Sequence, residues 1–194
     1  MFVGSLVQGK NPFFAIELVE ALMRKGIPVK LEFYGDGSLR NKLQAYIETK
    51  NLEPFVCLMG NQKQEVLKEA YKNSHFLVLA SKSEGWPKAV AEAMFFGCIP
   101  IATDVSCVPW MLNYGERGII ISTKENIKEN IEKRLVEKSG EKRVESQDVL
   151  NETAEKIIKL IKDQEKMKRM SIEGQKWSQK YTLEKFESEI KKLL

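Results

Sequence analysis

Short apolar runs alternate along the chain with stretches whose apolar residues recur every three or four positions. The runs are Phe2–Val3, Val29–Tyr34, Phe55–Met59, Phe76–Ala80, Ile99–Thr103 and Gly118–Ile121. Most are continuously apolar rather than alternating, as expected of strands in a parallel sheet with helices on both faces. Between them the period changes. Pro12 opens a helix in which Phe14, Leu18, Val19, Leu22 and Met23 share a face, and Gly26 closes it. Ser38 to about Lys50 and Gln64 to Asn73 read as the second and third helices, and Pro87 opens a fourth that ends at Gly97. The order βαβαβαβαβ predicts an α/β fold with a Rossmann-like, doubly wound parallel sheet.

After Ile121 the texture changes. Residues 122–194 are rich in Lys and Glu and contain no further strand. Ser139 to Gln147 reads as a polar connection, and Val149, Ala154, Ile157, Ile158 and Ile161 form the stripe of a long helix. Trp177 and Tyr181 precede a last helix holding Leu183, Phe186, Ile190 and Leu193. The expected organisation is a single domain over 1–194, with an α/β core over 1–121 and a helical part over 122–194.

The 194 residues, 43% hydrophobic and 30% charged, suit one globular domain. No apolar run approaches the roughly 20 residues of a membrane span, and the N-terminus lacks a signal-peptide pattern. The net charge of +4 comes from interspersed acids and bases. It is compatible with phosphates or an anionic membrane face. No Lys/Arg cluster interleaved with aromatics points to nucleic acid, so none is expected as a partner. Cys57, Cys98 and Cys107 have no CxxC spacing, which argues against zinc and for a reducing, cytoplasmic compartment. His75, the sole histidine, abuts an apolar run and reads as structural, leaving no support for a Ser-His or Cys-His catalytic pair.

In doubly wound folds, ligands bind beyond the C-terminal ends of the strands. Gly4-Ser5-Leu6-Val7-Gln8-Gly9-Lys10-Asn11-Pro12 follows the first strand. Its glycines and lysine suit an anion, but by spacing alone a surface lysine beside a turn is the better reading. Gly35-Asp36-Gly37 follows the second strand, without the GxGxxG and acid of a nicotinamide site. After the fourth strand comes Ser83-Glu84-Gly85-Trp86-Pro87-Lys88-Ala89-Val90-Ala91-Glu92. With Pro87 in the first helical turn, the amides of Lys88, Ala89 and Val90 are expected free, at a helix end that favours phosphate. Two plainer roles stay open: Glu84 as a helix cap, and Glu92 paired with Lys88 at i,i+4.

The stretch from Glu84 to Thr103 resembles the EGFGxxxxEAMAxGxPVVAT block of retaining GT-B glycosyltransferases of family four. Val3-Gly4-Ser5-Leu6 with Lys10 is similar to the VGRL…K loop of that family, and Tyr34-Gly35-Asp36-Gly37 to its GxG turn. Leu58-Met59-Gly60 and Tyr71-Lys72-Asn73-Ser74-His75 are similar to later landmarks, so the resemblance covers about residues 2–121. It implies one half of a GT-B fold: a donor-binding domain for a nucleoside-diphosphate sugar, such as a UDP- or GDP-sugar, with the sugar transferred with retention and no metal or other cofactor. It implies Glu92 on the ribose hydroxyls, Glu84 beside the donor sugar and Lys10 at the phosphates. The backbone of Gly85, Trp86, Pro87, Lys88 and Ala89 would face sugar and diphosphate, with Gly4 and Ser5 lining the first loop. Asn61, Gln62 and Lys63 are expected near the base.

Three departures stand out. Ser5 replaces an arginine of the family pattern, Trp86-Pro87 replaces Phe-Gly, and Trp110 falls where the pattern has an acid. The resemblance also implies an N-terminal acceptor domain, so the chain reads as the donor half of a longer protein, inactive by itself. The full-length protein would work in polysaccharide synthesis at the inner face of a membrane. Trp177, Tyr181 and Phe186 would lie partly exposed towards the other half. The competing reading is a non-enzymatic nucleotide or sugar-phosphate binding module on the same fold. An epimerase or a phosphorylase of this fold is a third, though no lysine is marked out for pyridoxal phosphate.

Overall fold

The computed structural model describes residues 1–122 and 141–181, with side chains from 147 onward in the second segment. Its strands are β1 (Phe2–Val3), β2 (Leu31–Tyr34), β3 (Val56–Gly60), β4 (Phe76–Leu79), β5 (Ile99–Thr103) and β6 (Ile119–Ile121). The helices are α1 (Pro12–Arg24), α2 (Arg40–Thr49), α3 (Gln64–Asn73), α4 (Lys88–Phe95), α5 (Val108–Met111), α6 (Glu141–Lys162) and α7 (Gln164–Ser178). All strand pairs are parallel, in two sheets of order β1-β2-β3 and β4-β5-β6. Met1 joins the two. Its nitrogen donates to the Phe76 carbonyl at 2.7 Å, and its carbonyl accepts from the Val78 amide at 2.9 Å. In space the strands therefore run β3-β2-β1-β4-β5-β6, the Rossmann order, with the topological switch between β1 and β4.

The continuous apolar runs of β4 and β5 are explained by burial on both faces, whereas β2 and β3 leave Glu32, Cys57 and Met59 facing outwards. Leu31, Phe33, Val78, Ile99 and Ile101 point into the core under α1, α2 and α6. Tyr34, Leu77, Leu79 and Ala102 point the other way, into the core with Val90, Met94 and Trp177. Successive residues change face, as the strand period requires. Phe2 and Phe33 are fully buried with ring centroids 5.0 Å apart. Each such side chain contributes roughly 1.5–3 kcal/mol.

Several boundaries differ from the sequence reading. β2 begins at Leu31 rather than Val29, its first amide donating to the Phe55 carbonyl at 2.7 Å. β3 is shifted by one, and β4 and β6 are each shortened by one. The stretch from 141 to 147, expected as a polar connection, already belongs to α6. α7 was not separated from its predecessor in the sequence. Asp163 breaks the helix there, its carboxylate accepting from the Lys166 amide at 2.9 Å. The last expected helix, with Leu183, Phe186, Ile190 and Leu193, lies outside the described residues. Among the described residues no helix is long and apolar enough to cross a membrane.

α7 braces α4. Ser171 Oγ donates to the Gly97 carbonyl at 2.6 Å, Gln175 Nε2 to Phe95 at 3.3 Å and Ser178 Oγ to Ala91 at 2.7 Å. Phe95 and Gly97 lie where a helix end leaves carbonyls unpaired, so α7 supplies donors that water would otherwise provide.

Candidate functional site

The loops after β1 and β4 meet at the switch point. The Lys82 amide donates to the Gly9 carbonyl at 2.8 Å, tying one loop to the other. Above this tie Lys10 Nζ sits 2.6 Å from Glu84 Oε1. The Glu84 side chain is 8% exposed and that of Lys10 30%. The two residues singled out for chemistry are thus brought together across 74 positions. Lys10, expected to be free for phosphate, already has a carboxylate partner. An ammonium has three donors, so the pair leaves capacity for a further anion.

The loop carrying Lys10 is shaped from below by Gly35-Asp36-Gly37. Gly4 N donates to the Tyr34 carbonyl, Leu6 N to Asp36 and Leu39 N to Leu6, each at 2.9 Å. Gly35 has φ +139°, and a Cβ there would lie 2.1 Å from the Gly4 carbonyl oxygen; at Gly37 it would lie 2.6 Å from that of Leu6. These glycines serve backbone-to-backbone contact. Ser5, at the top of the loop, is exposed.

Pro87 is the N-cap residue of α4, not part of its first turn, so the helix begins at Lys88. Its missing N–H therefore costs no amide of the turn itself. The Val90 amide, expected free, instead donates to the Pro87 carbonyl at 3.0 Å. The amides of Lys88 and Ala89 meet no acceptor among the described residues. They form the anion-facing end of the helix. Among the described residues the Glu84 carboxylate meets Lys10 rather than an amide of α4. Gly85 is exposed, and its carbonyl accepts from Ser106 Oγ at 3.1 Å and Cys107 Sγ at 3.5 Å. The loop before α4 is thereby anchored to the loop before α5, an element absent from the sequence reading.

Glu92 follows one and a half turns into α4. Among the described residues it takes its hydrogen bond not from Lys88 but from the Tyr71 hydroxyl of α3, at 2.9 Å. Tyr71 is 2% exposed. Burial pushes its hydroxyl well above the ordinary tyrosine range, and the Glu92 charge and bond add to this. The hydroxyl thus stays protonated and keeps donating. Among the described residues only one Glu92 oxygen is hydrogen-bonded, which leaves the other for a ligand. Glu92 lines a groove of about 260 Å³ between α3 and α4, with Gln64, Leu67, Tyr71, Ala91 and Phe95. Asn61, Gln62 and Lys63, expected near a base, are exposed and outside this groove.

Tyr71 was missed as a site residue because it continues the apolar stripe of its helix; no spacing separates it from core. Trp177, expected to be partly exposed, is buried at 7%. Tyr181 is 57% exposed, as anticipated. Cys98 is buried and its thiol pushed up to about 12 by that burial.

Comparison with known proteins places the fold among glycosyltransferases. The chain is 32% identical to an uncharacterized glycosyltransferase of Methanocaldococcus jannaschii, over 99% of this chain and 48% of that one. It is 26% identical to the poly(ribitol-phosphate) alpha-N-acetylglucosaminyltransferase of Staphylococcus aureus, over 82% of this chain and 27% of the other. In fold it is similar to the pneumococcal O-GlcNAc transferase GtfA, whose structure holds UDP and GlcNAc (TM-score 0.77, 18% identity, 99% of this chain and 34% of that one). It is also similar to the C-terminal domain of a glycosyl transferase group 1 protein from Francisella tularensis (TM-score 0.70, 19% identity, 94% of this chain and 85% of that domain). The chain spans about half the length of the first curated relatives it matches, 48% and 46%. The sequence model of one family matches residues 1–148, and by that match the chain belongs to the glycosyl transferases group 1.

Proposed function

We propose that the chain is the donor-binding part of a retaining glycosyltransferase of family four, which transfers a sugar from a nucleoside-diphosphate sugar to an acceptor. One observation carries the reading. Lys10, Glu84 and the open end of α4 converge at the switch point, and Glu92 follows on the same helix. The diphosphate would lie against the Lys88 and Ala89 amides with Lys10 beside it. The ribose would reach the open oxygen of Glu92, and the nucleoside would lie along the α3–α4 groove. As the bond from the anomeric carbon to the diphosphate oxygen breaks, its electron pair stays on the diphosphate. Positive charge already fixed there stabilises it without reorganisation. Lys10 and the helix end supply that charge, so the reading calls for no metal. Glu84 would play two parts, holding Lys10 in place and bordering the sugar. The acceptor would be bound by an N-terminal domain elsewhere in the longer protein, at the cytoplasmic face of a membrane.

Calorimetric titration with UDP, GDP, ADP and their sugars tests this. A nucleoside diphosphate is expected to bind, with Lys10→Ala and Glu92→Ala each weakening it. Unchanged affinity in both variants would sink the assignment. The non-enzymatic binding module is favoured by the exposed, uncharged Ser5 and by Trp110 in place of an acid. Sugar transfer or donor hydrolysis by the longer protein decides against it.

A further inference from the structure

The three tryptophans of the chain gather beside the loop that follows Glu84. Trp86 and Trp110 are each 47% exposed, with ring centroids 6.3 Å apart and planes tilted by 56°. Trp110 is backed by the buried Trp177, met edge-on at 5.3 Å, and by Tyr181 at 6.4 Å. Arg117 lies 5.5 Å from the Trp177 ring centroid and holds that ring from another side. The bonds from Ser106 and Cys107 to the Gly85 carbonyl fix the loop bearing Trp86 relative to the helix bearing Trp110. Two large aromatic rings are therefore held in position while about half of each remains in water.

We infer that Trp110, together with Trp86, is a stacking platform for the pyranose ring of the donor sugar. The inference rests on the donor-binding reading above. Trp86 stands two residues after Glu84, the residue placed beside the sugar, and Gly85 between them is bonded to the loop that leads to Trp110, so the platform is borne by the loop that bears Glu84. A pyranose carries hydroxyls at its edge and bare C–H groups on its faces. The C–H groups are slightly positive and the face of an indole slightly negative, so the two attract while apolar area leaves water. A carboxylate at the same place would recognise hydroxyls. Trp110 instead selects sugars by the C–H face they present, which makes it a specificity-determining residue.

The test is titration of the 194-residue chain with UDP and UDP-glucose, and with GDP and GDP-mannose. Its readout is the affinity for the sugar nucleotide divided by that for the bare nucleotide. Trp110→Ala is expected to lower this ratio about 3- to 10-fold. Trp110→Leu, which keeps apolar cover over Trp177, lowers it likewise, whereas Trp110→Phe retains most of it. Tyr114→Ala, at a side chain 76% exposed, leaves the ratio as it was. A ratio unchanged in both Trp110→Ala and Trp110→Leu overturns the platform. Failure of the unaltered chain to bind any of these nucleotides overturns the donor-binding reading first. A blue shift of tryptophan emission with phosphatidylglycerol vesicles that no sugar nucleotide reproduces would make the patch a membrane contact and overturn the inference.

Discussion

Replacing Lys10 by Met leaves Glu84 as a carboxylate 8% exposed to solvent without its partner at 2.6 Å. At an effective dielectric of about 20, that separation corresponds to about 6 kcal/mol of Coulomb attraction. Desolvation of the two ions cancels much of it, at several kcal/mol per ion. A hydrogen bond to a charged group contributes roughly 1.5–3 kcal/mol, and breaking a fully buried pair costs roughly 3–5. Lys10 is 30% exposed, which places this pair between the two cases, at about 2–3 kcal/mol. For a domain of this size the melting temperature should fall by about 4–12 °C. Lys10→Met/Glu84→Gln should recover most of the loss, since it removes the orphaned charge. A double-mutant cycle by urea unfolding at pH 7 measures the coupling directly. A loss below about 0.5 kcal/mol for Lys10→Met, or additive single substitutions, would refute the reasoning that the pair closes the seam between the two loops.

Four further outcomes are expected. Gly35→Ala places a Cβ 2.1 Å from the Gly4 oxygen at φ +139° and should cost about 3–5 kcal/mol in urea unfolding; Gly9→Ala, with open space around it, should cost about 1 or less. Tyr71→Phe should weaken nucleoside diphosphate binding about 3- to 10-fold in calorimetry by releasing Glu92, and equal affinity would exclude that positioning role. A thiol reagent should label exposed Cys57 first and Cys98 only on unfolding, because Cys98 is 1% exposed and its thiol stays protonated up to about 12. Burial, and then the Glu20 bond, push Tyr46 up to about 12 from an ordinary value of about 10. Its folded pKa is raised, so its contribution is intact below pH ~10 and is lost as pH rises through about 12. Tyr46→Phe should flatten that part of the urea midpoint profile, and an unaltered profile would remove Tyr46 as its source.

The centre of the sheet was legible because β4 and β5 are buried on both faces, which writes itself as an uninterrupted apolar run; β3 reads as such a run although Cys57 and Met59 face outwards. Helix ends were legible where Pro12 and Gly26 mark them. The break at Asp163 was not, because no proline or glycine stands there to mark it. In the site, Glu84, Glu92 and Lys10 stood out as charged residues in loops or at a helix start. Their partners did not. The Lys10–Glu84 pair joins two loops far apart in sequence, and only the strand order places β1 beside β4. Tyr71 was hidden for the opposite reason, since a buried phenol on an apolar stripe differs from a core residue only in what its oxygen meets. The Gly35-Asp36-Gly37 stretch was legible as a turn, but not the backbone of Gly4 and Leu6 that it packs against.

The three side chains of α7 that reach α4 bear on where this domain can be divided. The family match ends at residue 148, but Ser171, Gln175 and Ser178 hold the helix that carries Glu92. A fragment cut at the family boundary would keep every residue assigned to the nucleotide and lose the support behind them. In chimeras that exchange donor domains among relatives, residues 164–178 therefore travel with the site as part of its hardware, although their sequence carries none of its chemistry.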